Sequence, residues 1–360
     1  MRVFSLLSLI LTLFSCAQTE EDGEVFTITK ESGVERVIFK KPIKEIKGEA
    51  LGLKALGLGF ISPNDIDVSA DFILVTDSKT ENLIQVFDRK SNAIVAKFDK
   101  LGEGPGELLR ASFAEFIDDG QRIVAFDSDQ DFVSFIEVNR LGDDDYEAIR
   151  LRVDSDIENP QYISDSLFVG MDGGGEYRLL FVNASGQVTK RTGSLPKTNG
   201  QKVHPYPLAG IYQARVEFAP KQELIFLSNR QTDRIECFSR SGEPLYEING
   251  PLFAKPDFQV INLNGGTAAV PGDNMINGFL DIYVAENYFY VLYSGKTDKE
   301  LPDEAHFGDQ VYVFDYQGKP QEHFLLDRRV LRIAVDEKAG LLYASDFSKE
   351  DPKIVEYRIR

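Results

Sequence analysis

The sequence predicts an all-β fold, a six-bladed β-propeller, and three observations predict it. One strand–turn–strand pattern recurs six times at a spacing on the order of 30–50 residues, the period of propeller blades. Within each copy the side chains alternate apolar and polar or run apolar for a few residues, the patterns of half-covered and fully covered strands. Asp, Asn, Ser and Gly punctuate the copies, where hairpins need positive φ and side-chain-capped turns.

The first copy has strands at 72–77, 83–88 and 93–98, with turns at 78–82 and 89–92. The second has 122–127 and 132–137. The third has 166–170, a Gly-rich turn at 172–175, then 177–183 and, after Ser185-Gly186, 187–191. The fourth has 224–229 and 234–239, with Ser241-Gly242 at the next turn. The fifth has 288–293, a longer insertion, 310–315 and, after Gln317-Gly318, 321–326. The sixth has 341–346 and 353–359. A further strand precedes each copy and is expected to line a central channel: 65–68, 113–117, 161–163, 215–218, 280–284 and 331–335. A single meander of this kind cannot bury both of its faces, so the six must lean on one another in a ring.

The sixth copy stops one strand short, and an unclosed ring would expose sheet edges. Spare strand material lies at 34–47, notably Arg36-Val-Ile-Phe39, and is expected to complete the last blade and close the ring. A ring of five or seven blades is the alternative, since the third and fifth copies are irregular. A β-sandwich gives no reason for six similar units.

The first residues carry an address. Arg2 precedes an apolar stretch at 3–14, too short to span a bilayer as a helix. Leu13-Phe14-Ser15-Cys16 resembles a bacterial lipobox, in which the cysteine is acylated and becomes the mature N-terminus. The acidic run Glu20-Glu21-Asp22 then resembles a surface-export tether. The expected organisation is a lipoprotein signal peptide at 1–15, an acidic tether at 16–33 and one propeller domain at 34–360. The expected location is the outer membrane of a bacterial envelope, with the outward leaflet as an option, and the membrane is reached through lipid on Cys16. With Cys16 acylated, only Cys237 remains, so no intrachain disulfide can form. Cys237 lies in an alternating strand and is expected to be a buried structural thiol.

Hydrophobic content of 42% and charged content of 27% mark a globular chain. A formal charge of -18 argues against nucleic acid and against a basic membrane-binding patch.

Leu101-Gly-Glu-Gly-Pro-Gly-Glu107, directly after the first blade, resembles the Gly-x-Gly-Pro-Gly-Glu element of six-bladed, TolB-like propeller lipoproteins of Bacteroidetes. The resemblance covers most of the mature chain. It implies a propeller fold and a cell-envelope location, and it carries over no catalytic residue. Gly102, Gly104 and Gly106 permit tight or positive-φ backbone and Pro105 stiffens it, so the segment with Glu107 is expected to be a structured connection between blades. No Lys-Ser/Thr pair follows, which excludes a phosphate loop.

Asp127-Ser-Asp129-Gln-Asp131 copies the start of a calcium loop but lacks the required Gly, where Phe132 stands, and the acid at the twelfth position, where Val138 stands. It is expected to be a polar turn, with weak calcium binding as the alternative, and no other cofactor is implied. Asp143-Asp144-Asp145 reads as a solvated acidic turn. His204, His306 and His323 are scattered in or beside loops, without zinc spacing, and are expected to be exposed. The long loops 196–210 and 254–278 are candidates to line a mouth of the propeller, through Tyr206, Tyr212, Phe258 and Asn274.

Two functional readings follow. The first is a non-catalytic module that binds a protein, peptide or glycan at the outer membrane. The second is a propeller enzyme, a hydrolase or calcium-dependent lactonase, whose site would use acids on the inner strands. The candidates are Asp65, Asp67, Glu115, Glu217 and Asp281, and carboxylates converging on one open point would favour the enzyme.

Overall fold

The structure is a computed structural model. It describes residues 20–22, 26–31, 34–39, 43–53, 62–102, 107–141, 143, 148–153, 156–195, 204–263, 266–347 and 352–360. Six antiparallel sheets follow one another along the chain. Blade one runs from inside to outside as Pro63–Val68, Phe72–Asp77, Asn82–Asp88 and Ile94–Leu101. Blade two is Ala111–Ile117, Arg122–Asp127, Phe132–Glu137 and Ile149–Arg152. Blade three is Ile157–Ser164, Leu167–Asp172, Leu179–Asn183 and Val188–Thr192. Blade four is Ala214–Ala219, Leu224–Asn229, Arg234–Ser239 and Pro244–Asn249. Blade five is Ile276–Val284, Tyr288–Thr297, Gly308–Asp315 and Pro320–Val330, and blade six begins Ile333–Asp336, Leu341–Asp346 and Lys353–Arg358. The six first strands neighbour one another in cyclic order, the sixth beside the first. Each predicted channel strand falls on one of them.

The core lies between the blades. Leu74, Val86 and Leu108 of blade one pack with Ala114, Ile123 and Ile136 of blade two. The same two-blade composition recurs at the seams two–three, three–four, four–five and five–six, and at six–one, where Ile73, Val75 and Phe87 meet Ala334, Tyr343 and Ile354. Aromatic side chains fill the four–five seam: Phe226 meets Phe289 at a centroid distance of 4.6 Å, and Phe289 stacks on Phe314 at 5.2 Å. Each such pair adds about 0.5–1.5 kcal/mol beyond the area it buries. Cys237 is a free thiol buried at this seam, as expected, and burial pushes it up to about 12.

The residue that ends the second strand of a blade explains the recurring Asp. Both oxygens of buried Asp77 accept from Ser62 N, at 3.1 and 3.0 Å, and one also accepts from Lys79 N at 3.0 Å. Asp127 accepts from Leu109 N at 2.8 Å and from Asp129 N and Gln130 N at 2.9 and 3.1 Å. The carboxylate thus ties the lead-in of its own blade to the next turn, and it satisfies backbone donors that burial would otherwise orphan. The Asp127–Asp131 segment is therefore a polar turn.

The N-terminal chain closes the ring, but through other residues than those expected. Gly48–Ala50 pairs antiparallel with Lys353–Arg358 and supplies the fourth strand of blade six. Arg36–Phe39 does not: Val34–Phe39 pairs instead beside Pro244–Asn249 of blade four, and Lys44–Ile46 lies parallel to Pro320–Val330 of blade five. The segment therefore serves the outer edges of three successive blades. Gly48 sits so close to blade six that a Cβ there would stand 2.3 Å from Val355 Cγ1, which selects glycine for the closing strand. The sheet also continues past residue 34: Phe26–Glu31 pairs with Val34–Phe39, and Glu20–Asp22 with Phe26–Glu31. Cys16 and the signal stretch lie outside the described residues.

Candidate functional site

Charged side chains on apolar inner strands mark the channel. On Pro63–Val68, Ile66 turns to the seam with blade six, while Asp65 and Asp67 project the other way. On Ala214–Ala219, Val216 joins the blade three seam and Arg215 and Glu217 project the other way. Register shifts at Pro63/Asp65 and Phe279/Asp281 bend two of these strands and re-aim both aspartates.

Arg215 is the hub. Its Nη2 donates to Asp65 Oδ2 at 2.8 Å, and its Nε lies 3.7 Å from Glu217 Oε1 and 3.7 Å from Asp281 Oδ1. Arg332, just before the sixth inner strand, places Nε 3.9 Å from Asp65 Oδ1 and 3.8 Å from Asp281 Oδ1. Asp281 Oδ2 accepts from Ile333 N at 2.9 Å. Deeper along the strands, Asp67 accepts from Phe116 N at 2.6 Å, Val68 N at 2.7 Å and the Tyr283 hydroxyl at 2.9 Å. Glu115 faces the same space and accepts a hydrogen bond from the Tyr162 backbone. All five predicted acids are therefore brought together, four of them buried and Glu115 half-buried.

The electrostatics divide the channel in two. Burial pushes Asp67 and Asp281 up to about 6, against the hydrogen bonds and arginines that favour their charged forms. Burial, aided by the neighbouring charge of Asp67, pushes Glu115 up to about 8. Glu217 is held well above the usual carboxylate range, again by burial, with Arg215 opposing. Glu115 keeps some accessible surface because it faces the channel, yet protein surrounds it. Arg215 pays for burial too, but Asp65, Asp281 and Glu217 outweigh that cost and hold it above its ordinary value.

Arginine was the signal missed in the sequence. Arg215 was visible as a charge alternating with Glu217 on an apolar strand, and Arg332 as one at the start of the sixth. Arg230 was not visible, because it follows Leu224–Asn229 in a turn. Its N donates to Gln213 O at 3.0 Å, and its O accepts from Gly278 N at 2.7 Å, which sets it at the start of the fourth inner strand. A Cβ on Gly278 would stand 1.8 Å from Thr232 O, so only glycine allows this approach.

Other expected site residues fall elsewhere. Gly102 and Glu107 lie in the connection from blade one to blade two. Gly102 N donates to Leu108 O at 3.0 Å, and Glu107–Leu108 pairs parallel with Ile94–Leu101. Gly104, Pro105 and Gly106 lie outside the described residues. Tyr212 and Phe258 pack with Leu208 and Ile211 of the helix Pro205–Ile211 and with Met275 in a small apolar cluster. Tyr206 and Asn274 are exposed. The histidines are not uniformly exposed either. His204 is exposed and His306 half-buried, while His323 is 5% exposed within Pro320–Val330, its Nε2 3.2 Å from Gln310 Oε1.

The acids do not fit a calcium centre. They face arginines or accept from backbone N–H groups, and among the described residues no three His, Cys, Asp or Glu side chains stand as a metal set.

A family model described as TolB-like 6-blade propeller-like matches residues 39–338. Among solved structures, an exported protein of Bacteroides fragilis NCTC 9343 is 13% identical with a TM-score of 0.55, over 89% of this chain and all of that one. The β-propeller domain of Myceliophteria thermophila Cps50 (Swd1) is 11% identical with a TM-score of 0.46, over 85% of this chain and 98% of that one. No curated protein matches the chain.

Proposed function

The chain belongs to the TolB-like six-bladed propeller family, and from that premise we propose that it is a non-catalytic binding propeller, held at the outer membrane by lipid on Cys16. One observation carries the binding reading. Asp65, Asp67 and Asp281 are each answered by Arg215, Arg332, backbone N–H groups or the Tyr283 hydroxyl, so they form a bonded lining rather than an open pair of reacting groups. A rigid ring with a polar channel is a preformed recognition surface. The envelope location is supported by the signal-like N-terminus and by the description of the B. fragilis protein as exported. The ligand is a protein, peptide or glycan of that compartment.

Cross-linking and affinity capture from membranes of the producing cell tests the binding reading. One reproducible partner class is expected; no specific partner, together with turnover of a substrate, overturns it. Radiolabelled fatty acid incorporation tests the anchor: label is expected in the wild type and lost in Cys16→Ser.

A hydrolase has one observation in its favour. Glu115 is pushed up to about 8 and Glu217 is held well above the usual carboxylate range, both by burial, the direction a general acid needs. Turnover of chromogenic esters or glycosides that Glu217→Gln abolishes would establish it.

A further inference from the structure

We propose that blade four is the membrane side of the propeller: a three-stranded extension of its sheet reaches out to the lipid on Cys16, holds the rim of that blade close to the bilayer and turns the channel parallel to it. This rests on the lipid-anchor reading and adds which surface meets the membrane and how the channel lies.

The extension is built by strand pairing. Glu20–Asp22 pairs antiparallel with Phe26–Glu31, from Glu20↔Thr29 to Asp22↔Thr27. Phe26–Glu31 pairs antiparallel with Val34–Phe39 along its whole length, from Phe26↔Phe39 to Glu31↔Val34. Val34–Phe39 then lies parallel to Pro244–Asn249, the outermost of blade four's own strands, in register at Arg36↔Asn249. The result is a seven-stranded sheet whose order runs from Ala214–Ala219 at the channel to Glu20–Asp22 at the far edge. Phe26 fixes the extension to the ring, because it packs against the buried apolar cluster of the four–five seam.

Covalent geometry sets the reach. Three residues, Ala17, Gln18 and Thr19, separate Cys16 from Glu20. The four Cα steps span at most about 14 Å. The three strand spacings from Pro244–Asn249 out to Glu20–Asp22 add about 14 Å. The rim of blade four is thus held within roughly 30 Å of the acylated residue. An unpaired chain from Cys16 to Val34 would reach about 60 Å and set no side of the ring toward the lipid.

Direction follows from the sheet order. Each successive strand of blade four lies further from the channel, and the extension continues that line. The lipid is therefore reached along a radius of the ring and not through either mouth. Blade one stands across the ring from blade four in the cyclic order and faces away from the bilayer. Both mouths then open along the membrane surface, toward molecules that diffuse beside it. The acyl chains supply the affinity, and the pairing supplies the orientation.

The test reads energy transfer from a donor on an introduced cysteine to a headgroup-labelled lipid, with the acylated full chain in vesicles of phosphatidylethanolamine and phosphatidylglycerol. Leu245→Cys puts the donor on the outer strand of blade four and Val95→Cys puts it on the outer strand of blade one. Both side chains are exposed, at 53% and 37%, whereas Cys237 is buried. The two rims stand on the order of 50 Å apart for a chain of this length. The blade four donor is expected to be quenched several-fold more than the blade one donor. A flexible Gly/Ser insertion of about 20 residues after Thr19 is expected to bring the two donors to similar quenching, with co-flotation on the vesicles unchanged. Equal quenching in the chain without the insertion, stronger quenching at blade one, or a difference that survives the insertion overturns the proposal, while co-flotation leaves the anchor standing. Failure to co-float removes the anchor and the proposal together.

Discussion

Arg178 Nε donates to Glu236 Oε2 at 2.8 Å across the seam between blades three and four, and the two side chains are 2% and 4% exposed. The pair is fully answered. Asn229 Oδ1 accepts from Arg178 Nη2 at 2.8 Å, Asn229 Nδ2 donates to Glu236 at 3.1 Å, and Tyr212 O accepts from Arg178 Nη1 at 2.6 Å. Burial works to raise Glu236, yet Arg178 and Arg234 outweigh it and hold the carboxyl below its ordinary range. The channel pairing is looser, with Arg215 Nε 3.7 Å from Glu217 Oε1.

Arg178→Met is expected to lower stability by about 3 kcal/mol, because it leaves the buried Glu236 carboxylate with Arg234 as its one ion-pair partner among the described residues. The double variant Arg178→Met, Glu236→Leu is expected to recover most of that loss. Urea unfolding of the two variants checks this. A double variant as unstable as the single one would show that the seam needs the ion pair itself.

Gly278→Ala is expected to cost about 1–3 kcal/mol, since the added Cβ meets the Thr232 carbonyl oxygen at 1.8 Å. The same change displaces the Arg230 carbonyl that Gly278 N holds at 2.7 Å. A lower melting midpoint is therefore expected, read by thermal unfolding of the two chains.

Glu115 ties stability to pH in an unusual direction. The folded chain holds this proton up to about 8, while the unfolded chain releases it near 4.5. Between those values the folded state binds more protons, so stability from this group falls as pH rises through the window. Glu115→Gln is expected to be more stable than the wild type near pH 9, with the difference shrinking toward about pH 5. Denaturant midpoints at the two pH values measure it; a constant difference would show that Glu115 titrates normally.

His323 acts at the acid end. Burial pushes its ring down to about 4, against 6.5 for an ordinary histidine. The unfolded chain therefore takes up the proton first, and stability is lost as pH falls from 6.5 through 4. His323→Gln is expected to remove a loss on the order of 3 kcal/mol over that window. NMR titration of the ring and urea unfolding across the window check the two halves of the argument.

Gly48→Val is expected to open the ring. The closing strand is three residues long, and a Cβ at 48 would stand 2.3 Å from Val355 and 2.7 Å from the Tyr357 ring. Displacing it exposes the edge of Lys353–Arg358. A lower midpoint and concentration-dependent aggregation are expected, measured by light scattering on heating.

The blades were legible because their signal is local. Runs such as Phe72–Asp77 and Leu224–Asn229 declare strands by side-chain pattern alone, and six similar units with uncovered faces imply a ring. The five channel acids were legible for the same reason: Asp65, Asp67, Glu115, Glu217 and Asp281 interrupt apolar strands at alternating positions, so whatever the seams exclude must face the channel. Gly48–Ala50 as the closing strand was not legible, since three residues hold no periodicity and Arg36–Phe39 looked the better strand. Nor was His323 as a buried ring, because its burial comes from packing in blade five.

By itself, then, the amino-acid order determined which segments form the six blades and which face of each inner strand looks to the channel. Only the tertiary structure decided that Arg215, 150 residues from Asp65 along the chain, answers that carboxylate, and that Arg332 lies beside Asp65 and Asp281. The reason is physical. Strand pattern depends on neighbours two residues away, whereas charge balance depends on distance in space, and a closed ring brings together at its axis residues from every blade.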